Sequence, residues 1–222
     1  ARATTRLAWT LSILISTARL LAYHYKAKGT YSGAFLSAYL QNHESLVKLS
    51  ATKRCAALIT AARSQDPRAT PAGLASKFEL EQLKTAVRES LSDAGLRAVH
   101  LFDGLDEGWT PDPIPVAIIG GLAKTASEQV ESGIPIHPIV FIRDNMFRAL
   151  AELDTDFTRN IEGNTLRLHW DEHSLLHLTT ERLRVALGLN IENNTKVWNR
   201  FAARELEGNS GFRSVLRHTL YR

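Results

Sequence analysis

The 222-residue sequence has one cysteine and one methionine. With a single thiol no disulfide can close inside the chain, and the composition predicts an intracellular, cytoplasmic protein. Cys55 lies in the apolar stretch Cys55-Ala56-Ala57-Leu58-Ile59, with no base beside it. It reads as a packed small side chain rather than a nucleophile. Long hydrophobic runs are also missing. The most apolar stretch, Leu7 to Tyr25, is interrupted by Ser12, Ser16, Thr17 and Arg19. Its uncharged run of about twelve residues is well short of the roughly 20 that a membrane span needs. It reads as a buried helix, and no membrane partner is expected. No signal pattern opens the chain, and Ala1 stands where a Met would begin a complete product. The expectation is a fragment, a processed product or a chain whose start is lost.

Charge is only mildly unbalanced. The net charge is +4 and the pI about 9.3, and no dense Lys/Arg run occurs. Contact with nucleic acid or nucleotide is permitted but not demanded. Arg2, Arg6, Arg19, Lys26 and Lys28 give the first helix a partly basic face, which suits either solvent or nucleic acid. Aromatic residues make up 8% of the chain, and the four tryptophans are scattered. Core or interface packing is the default for each. Trp109, following the acidic segment described below, has the alternative role of walling a nucleotide mouth.

Residues 1–94 read as almost wholly helical. The pattern predicts a helix from Thr4 or Thr5 to about Lys26, with others near 34–40, 44–62 and 74–94, the last two separated by a loop over 63–73. The texture then changes. Val99-His100-Leu101-Phe102 belongs to a short apolar run, a predicted buried strand, and Asp103-Gly104-Leu105-Asp106-Glu107-Gly108 follows at once. A helix over about 116–132 and a second strand over 134–142 come next, then a short helix over 145–153. A weak alternation (Leu166, Leu168, Trp170) suggests a third strand over 165–170. Helices are expected at 171–187, 195–207 and 212–221. Strands alternating with helices imply an α/β fold, a parallel sheet flanked by helices, behind a large all-helical amino-terminal segment. The expected division is 1–94 and 95–222.

The acidic turn carries the chemistry. Nucleotide hydrolysis needs a carboxylate at the end of a buried strand to hold Mg²⁺ beside the phosphates. It also needs a second carboxylate to orient the attacking water. Asp103 closes the strand, Gly104 permits a sharp turn, and Asp106 with Glu107 faces the same mouth. Three carboxylates within five residues repel one another unless a cation is near. The opposing reading is an ordinary turn with solvated acids. Arg143, at the end of the second strand, is a good phosphate fork; its bland alternative is a salt bridge with Asp144 or Asp106. His173 and His177 have zinc-compatible spacing but no evident third ligand, and read as surface or capping residues.

Apolar strand, Asp, Gly, Leu, Asp, Glu resembles the Walker B element of the STAND and NACHT-like branch of P-loop NTPases. Val140-Phe141-Ile142-Arg143-Asp144 is similar to the sensor strand of related bacterial P-loop ATPases, including ones of antiviral defence systems. Trp170-Asp171, opening a helix with Leu175, Leu178 and Arg182, is similar to the same group. The resemblance covers about residues 96–187. It implies that Asp103 binds Mg²⁺, that Glu107, with Asp106, positions the water, and that Arg143 senses the γ-phosphate of ATP or a neighbouring subunit. It implies an ATP-hydrolysing switch or assembly ATPase, with a homo-oligomer or an effector partner. One element departs from the family. No Gly-x-x-x-x-Gly-Lys-Ser/Thr occurs, and Gly120-Gly121-Leu122-Ala123-Lys124-Thr125 lacks the second glycine and lies on the wrong side of the acidic strand. Either the phosphate loop lies upstream of Ala1 or the protein is a non-hydrolysing nucleotide-binding scaffold. A helical nucleic-acid-binding regulator, with an incidental acidic turn, is the third possibility.

Overall fold

The computed structural model describes residues 2–30, 33–63, 70–107, 109–153, 157–168, 170–206 and 208–219. The chain divides into two compact units, Ala1–Thr165 and Leu166–Arg222. No helix among the described residues is long and apolar enough to cross a membrane.

The first unit is built around helix α1, Arg2–Ala27. Ala8, Trp9, Leu11, Ile13, Leu14, Ile15, Ala18 and Leu21 are all buried. A helix apolar on so much of its circumference has to be surrounded, and each buried Leu or Ile contributes roughly 1.5–3 kcal/mol relative to exposure. Around it lie α2 (Ala34–Asn42), α3 (Glu44–Val47), α4 (Ala51–Arg63), α5 (Pro71–Lys77) and α6 (Leu80–Asp93). Strand β1 (Ala98–Phe102), helix α7 (Pro113–Glu131) and strand β2 (Ile136–Val140) follow. Ala98, Phe102, Leu122 and Ile136 join the same core as α1. The helices of 1–94 and the strands beyond them therefore share one core. On α7, Val116, Ile119 and Ala123 pack with Met146 and Leu150 of α8 (Asp144–Leu153) and with Phe157 and Ile161 of α9 (Phe157–Ile161) in a second cluster.

The α/β character is confirmed at a coarse level: a mostly helical protein with one small parallel sheet. β1 and β2 pair in parallel, Ala98 opposite Ile136 and Phe102 opposite Val140. One sheet face meets α1, where Trp9 stacks edge-on against Phe102 at 5.6 Å. The other carries exposed Val99, Leu101, Ile139 and Phe141.

Several expected elements differ. The helix expected over 44–62 is broken between α3 and α4, because Ser50 starts α4: its Oγ accepts from the Lys53 amide and its carbonyl from the Arg54 amide. The helix expected over 74–94 is broken at Glu79, which adopts a left-handed φ of 45°. There the Tyr39 hydroxyl donates to the Phe78 carbonyl at 3.1 Å, and Phe78 turns into the core. The alternation at 165–170 forms no strand among its described residues; Leu166, Leu168 and Trp170 are exposed, and no neighbouring strand supplies a ladder. At the start, α1 runs through Thr4 and Thr5, so neither serves as its cap.

Arg54 is 1% exposed. Its Nε donates to the Leu46 carbonyl and its Nη2 to those of Val47 and Leu49. Its Nη1 reaches the Ser12 carbonyl and the Ser16 hydroxyl, both at 2.8 Å. The cation caps the end of α3: it is a second donor to the Leu46 carbonyl, which also accepts from the Leu49 amide at 3.2 Å, and to the Val47 carbonyl, which Arg19 reaches at 3.5 Å, and it serves the Leu49 carbonyl. Gly121 lies inside α7, where a Cβ would stand 2.9 Å from Thr5 Cβ of α1. The glycine pair read in the sequence as a poor phosphate loop is thus part of a helix, and Gly121 is a close helix-helix contact.

The second unit holds α10 (Glu172–Leu187), α11 (Asn194–Phe201), a short hairpin of β3 (Glu205–Leu206) and β4 (Asn209–Ser210), and α12 (Gly211–Thr219). Asp171 caps α10 by accepting from the Ser174 amide at 2.7 Å, and Gly188 ends it with φ 60°. The helix expected over 195–207 stops at Phe201 and gives way to the hairpin; Gly211, which opens α12, lies so close to the Ala203 carbonyl that no side chain fits.

Two predictions follow from these contacts. Arg54→Leu removes every guanidinium hydrogen bond that ties α1 to the end of α3, leaves the Leu49 carbonyl without its donor, and costs about 3 kcal/mol in urea unfolding; a loss under about 1 kcal/mol contradicts the clamp. Gly121→Val costs about 1–3 kcal/mol by forcing α1 and α7 apart, and unchanged stability contradicts the close contact.

Candidate functional site

The parallel register puts the carboxyl ends of β1 and β2 side by side. The ladder extends one step past the strands, since the Phe141 amide donates to the Phe102 carbonyl at 2.9 Å. The segment beginning at Asp103 and the segment ending at Arg143 therefore leave the sheet at the same edge. This is where ligands bind in open parallel sheets.

The acidic turn is shaped by its one apolar residue. Leu105 is half-buried and packs against both hydrophobic clusters, which leaves Asp103 and Glu107 exposed. Gly104 has φ 68°, a left-handed turn that favours glycine. Its amide donates to Asp103 Oδ1 at 2.8 Å, and Glu107 Oε1 lies 3.9 Å from the place a Cβ would occupy on Gly104. Both carboxylates thus flank the same glycine at the strand end. The Glu107 amide closes the turn on the Gly104 carbonyl at 3.3 Å.

Asp106 has a different partner. Arg143 Nη2 lies 2.6 Å from Asp106 Oδ2, with the two side chains 72% and 31% exposed. Of the two bland partners open to Arg143 in the sequence, Asp106 is the one it meets; Asp144 pairs with Arg148 at 2.6 Å, one turn on. A cation does relieve the crowding of carboxylates, and for Asp106 that cation is the guanidinium. Trp109 packs against the second cluster.

Among the described residues no group of three or more His, Cys, Asp or Glu is placed to hold a metal ion. That bears on His173 and His177: both are exposed, and His177 Nδ1 faces the Asn194 amide at 3.3 Å. Cys55 is 1% exposed, and burial pushes its thiol up to about 12, far from a reactive thiolate.

His100, in the middle of β1, was missed as a titratable group because the sequence showed it only as part of an apolar run. Thr17 donates its hydroxyl proton to the Ile13 carbonyl, so its oxygen accepts from His100 Nε2–H at 2.8 Å. Burial, with a smaller contribution from Arg54, holds the imidazole below its ordinary 6.5, and His43 is lowered in the same sense by burial.

No family model matches the sequence, and no solved structure matches it. The chain is 35% identical over 224 residues to the "Putative transposon gamma-delta 80.3 kDa protein" of Escherichia coli K12, a match covering 100% of this chain and 32% of that protein. It is 49% identical over 82 residues to "Allergen Alt a 2" of Alternaria alternata, covering 37% of this chain and 43% of the allergen. The chain thus spans about a third of the first relative's length and less than half of the second's.

Two predictions arise here. The exposed Arg143–Asp106 pair is worth at most about 1 kcal/mol, so Asp106→Asn leaves urea stability within that margin; a loss above about 2 kcal/mol would make the pair a structural tie. For His100, the unfolded chain takes up a proton first on acidification. Its contribution is complete above 6.5 and declines as the pH falls through that value toward the lowered folded one. His100→Gln flattens part of that decline, and an unchanged pH profile contradicts it.

Proposed function

We propose that residues 96–144 are the metal-binding and hydrolytic half of a P-loop NTPase of the STAND and NACHT-like branch. The reading includes ATP hydrolysis that drives a switch or an assembly, in the manner of bacterial ATPases of antiviral defence. The observation that carries it is the meeting of an acidic turn and an arginine at the carboxyl ends of two adjacent parallel strands, with Asp103 and Glu107 both beside Gly104.

The donor set fits Mg²⁺ of one kind only. A dedicated all-protein cage is absent among the described residues, whereas magnesium in phosphate sites is held by one or two carboxylates, waters and the phosphates themselves. Asp103 would hold the ion with the carboxylate oxygen that Gly104 leaves unengaged, and the ion would neutralise phosphate charge. Glu107, exposed at the mouth, would hold the attacking water as hydrogen-bond acceptor. Arg143 would turn from Asp106 to the γ-phosphate, a stronger bidentate acceptor. Asp106 then serves to park the guanidinium.

A second reading concerns what such a switch acts on. The Escherichia coli relative is by its name a transposon protein, and nine Lys and Arg against six Asp and Glu fall within 166–222, which gives that unit +3 of the net +4. Both features favour DNA as the partner.

The test of the first reading is Mg·ATP turnover in a polypeptide that joins a glycine-rich phosphate loop to these residues. Glu107→Gln lowers turnover by about 100-fold or more while Mg·ATP still binds. Undiminished turnover removes the water-positioning role.

A further inference from the structure

We propose that the outer face of α11 and its exit, formed by Lys196, Asn199, Arg200 and Arg204, docks on duplex DNA. The inference rests on the DNA reading and gives it a surface; it is independent of nucleotide hydrolysis. Val197 is fully buried, and Trp198 meets Phe212 of α12 edge-on at 4.9 Å. Those two residues fix the inner side of α11. At 3.6 residues per turn, Lys196, Asn199 and Arg200 share the opposite side. Lys196, Arg200 and Arg204 are exposed and Asn199 is half-buried.

The face differs from an ordinary solvated one. Solvated helices mix both signs of charge, but α11 and α12 together contain Lys196, Arg200, Arg213 and Arg217 and no acidic residue. Two other arginines of this unit are held by carboxylates, Arg184 by Glu181 and Arg213 by Glu172. Among the described residues no ion pair involves Lys196, Arg200 or Arg204. Glu205 is the exposed acid that follows Arg204.

The side chains suit duplex DNA by chemistry as well as charge. Lys and Arg neutralise phosphates or take guanine edges, and Asn pairs with adenine. An α-helix with its side chains is about 10–12 Å across, which the major groove of B-DNA, about 12 Å wide, admits. The narrow major groove of duplex RNA does not admit it.

The experiment is fluorescence anisotropy of the whole 222-residue chain with a labelled DNA duplex, titrated over roughly 50–200 mM KCl. The parent binds, with affinity falling steeply with salt. The triple variant Lys196→Gln, Arg200→Gln, Arg204→Gln, with unchanged far-UV circular dichroism, binds at least about tenfold more weakly, and its salt slope is shallower by about 2–3. Arg182→Gln, an exposed charge on α10, leaves both unchanged. A triple variant that binds like the parent overturns this surface but leaves the DNA reading standing. No binding by the parent at the lowest salt overturns both. Equal affinity for duplex RNA overturns the groove argument.

Discussion

Backbone hydrogen bonds between β1 and β2 run in the parallel sense, and the position of the acidic turn and of Arg143 follows from that direction. Parallel neighbours cannot be joined by a tight turn; the chain must cross back over the sheet. Here α7 makes that crossing. The arrangement brings two loops, far apart in sequence, to the same edge. One carries Asp103, Asp106 and Glu107, the other Arg143. An antiparallel pair would have placed Arg143 at the opposite end of β1, out of reach of Asp106.

The crossover helix is fixed by its neighbours. Gly121 lets α7 approach α1 closely, and the Trp9 indole donates to the Ile118 carbonyl at 2.9 Å. On the other side, α7 carries the small cluster with Met146, Leu150 and Phe157, against which Leu105 and Trp109 rest. Packing of the buried α1 thus sets α7, and α7 with its cluster sets the acidic turn. The sheet itself is covered on one side. Parallel strands are usually buried on both faces, and the exposed row of Val99, Leu101, Ile139 and Phe141 is the largest departure from that rule in this unit.

Much of this was legible in the sequence where local chemistry decides structure. Both strands stand out as short apolar runs, and α10 is bounded by a capping Asp171 and a terminal Gly188. The break at Glu79 was hidden because a distant partner, Tyr39, secures the Phe78 carbonyl; the break at Ser50 has a local cause, the Ser50 hydroxyl that accepts from the Lys53 amide. The supposed strand near Leu166 failed for the opposite reason: its alternation is real, but a strand exists only with a neighbour. In the site, the order of acids was readable and their division of labour was not. Asp106 and Arg143 are separated by 37 positions; the sequence offered that pair beside Arg143–Asp144, and the parallel register decides for it while Asp103 and Glu107 remain exposed.

The central claim is that the carboxyl edge of the two strands receives a divalent cation with a triphosphate. Manganese makes this directly visible, because it replaces magnesium at oxygen sites and broadens nearby nuclear resonances. With Mn²⁺ and ATP added to the isotope-labelled chain, the account predicts broadening centred on the amides of Gly104, Glu107 and Asp144, and greater with ATP than with Mn²⁺ alone. Broadening that bypasses these amides and concentrates elsewhere on the molecule would contradict it.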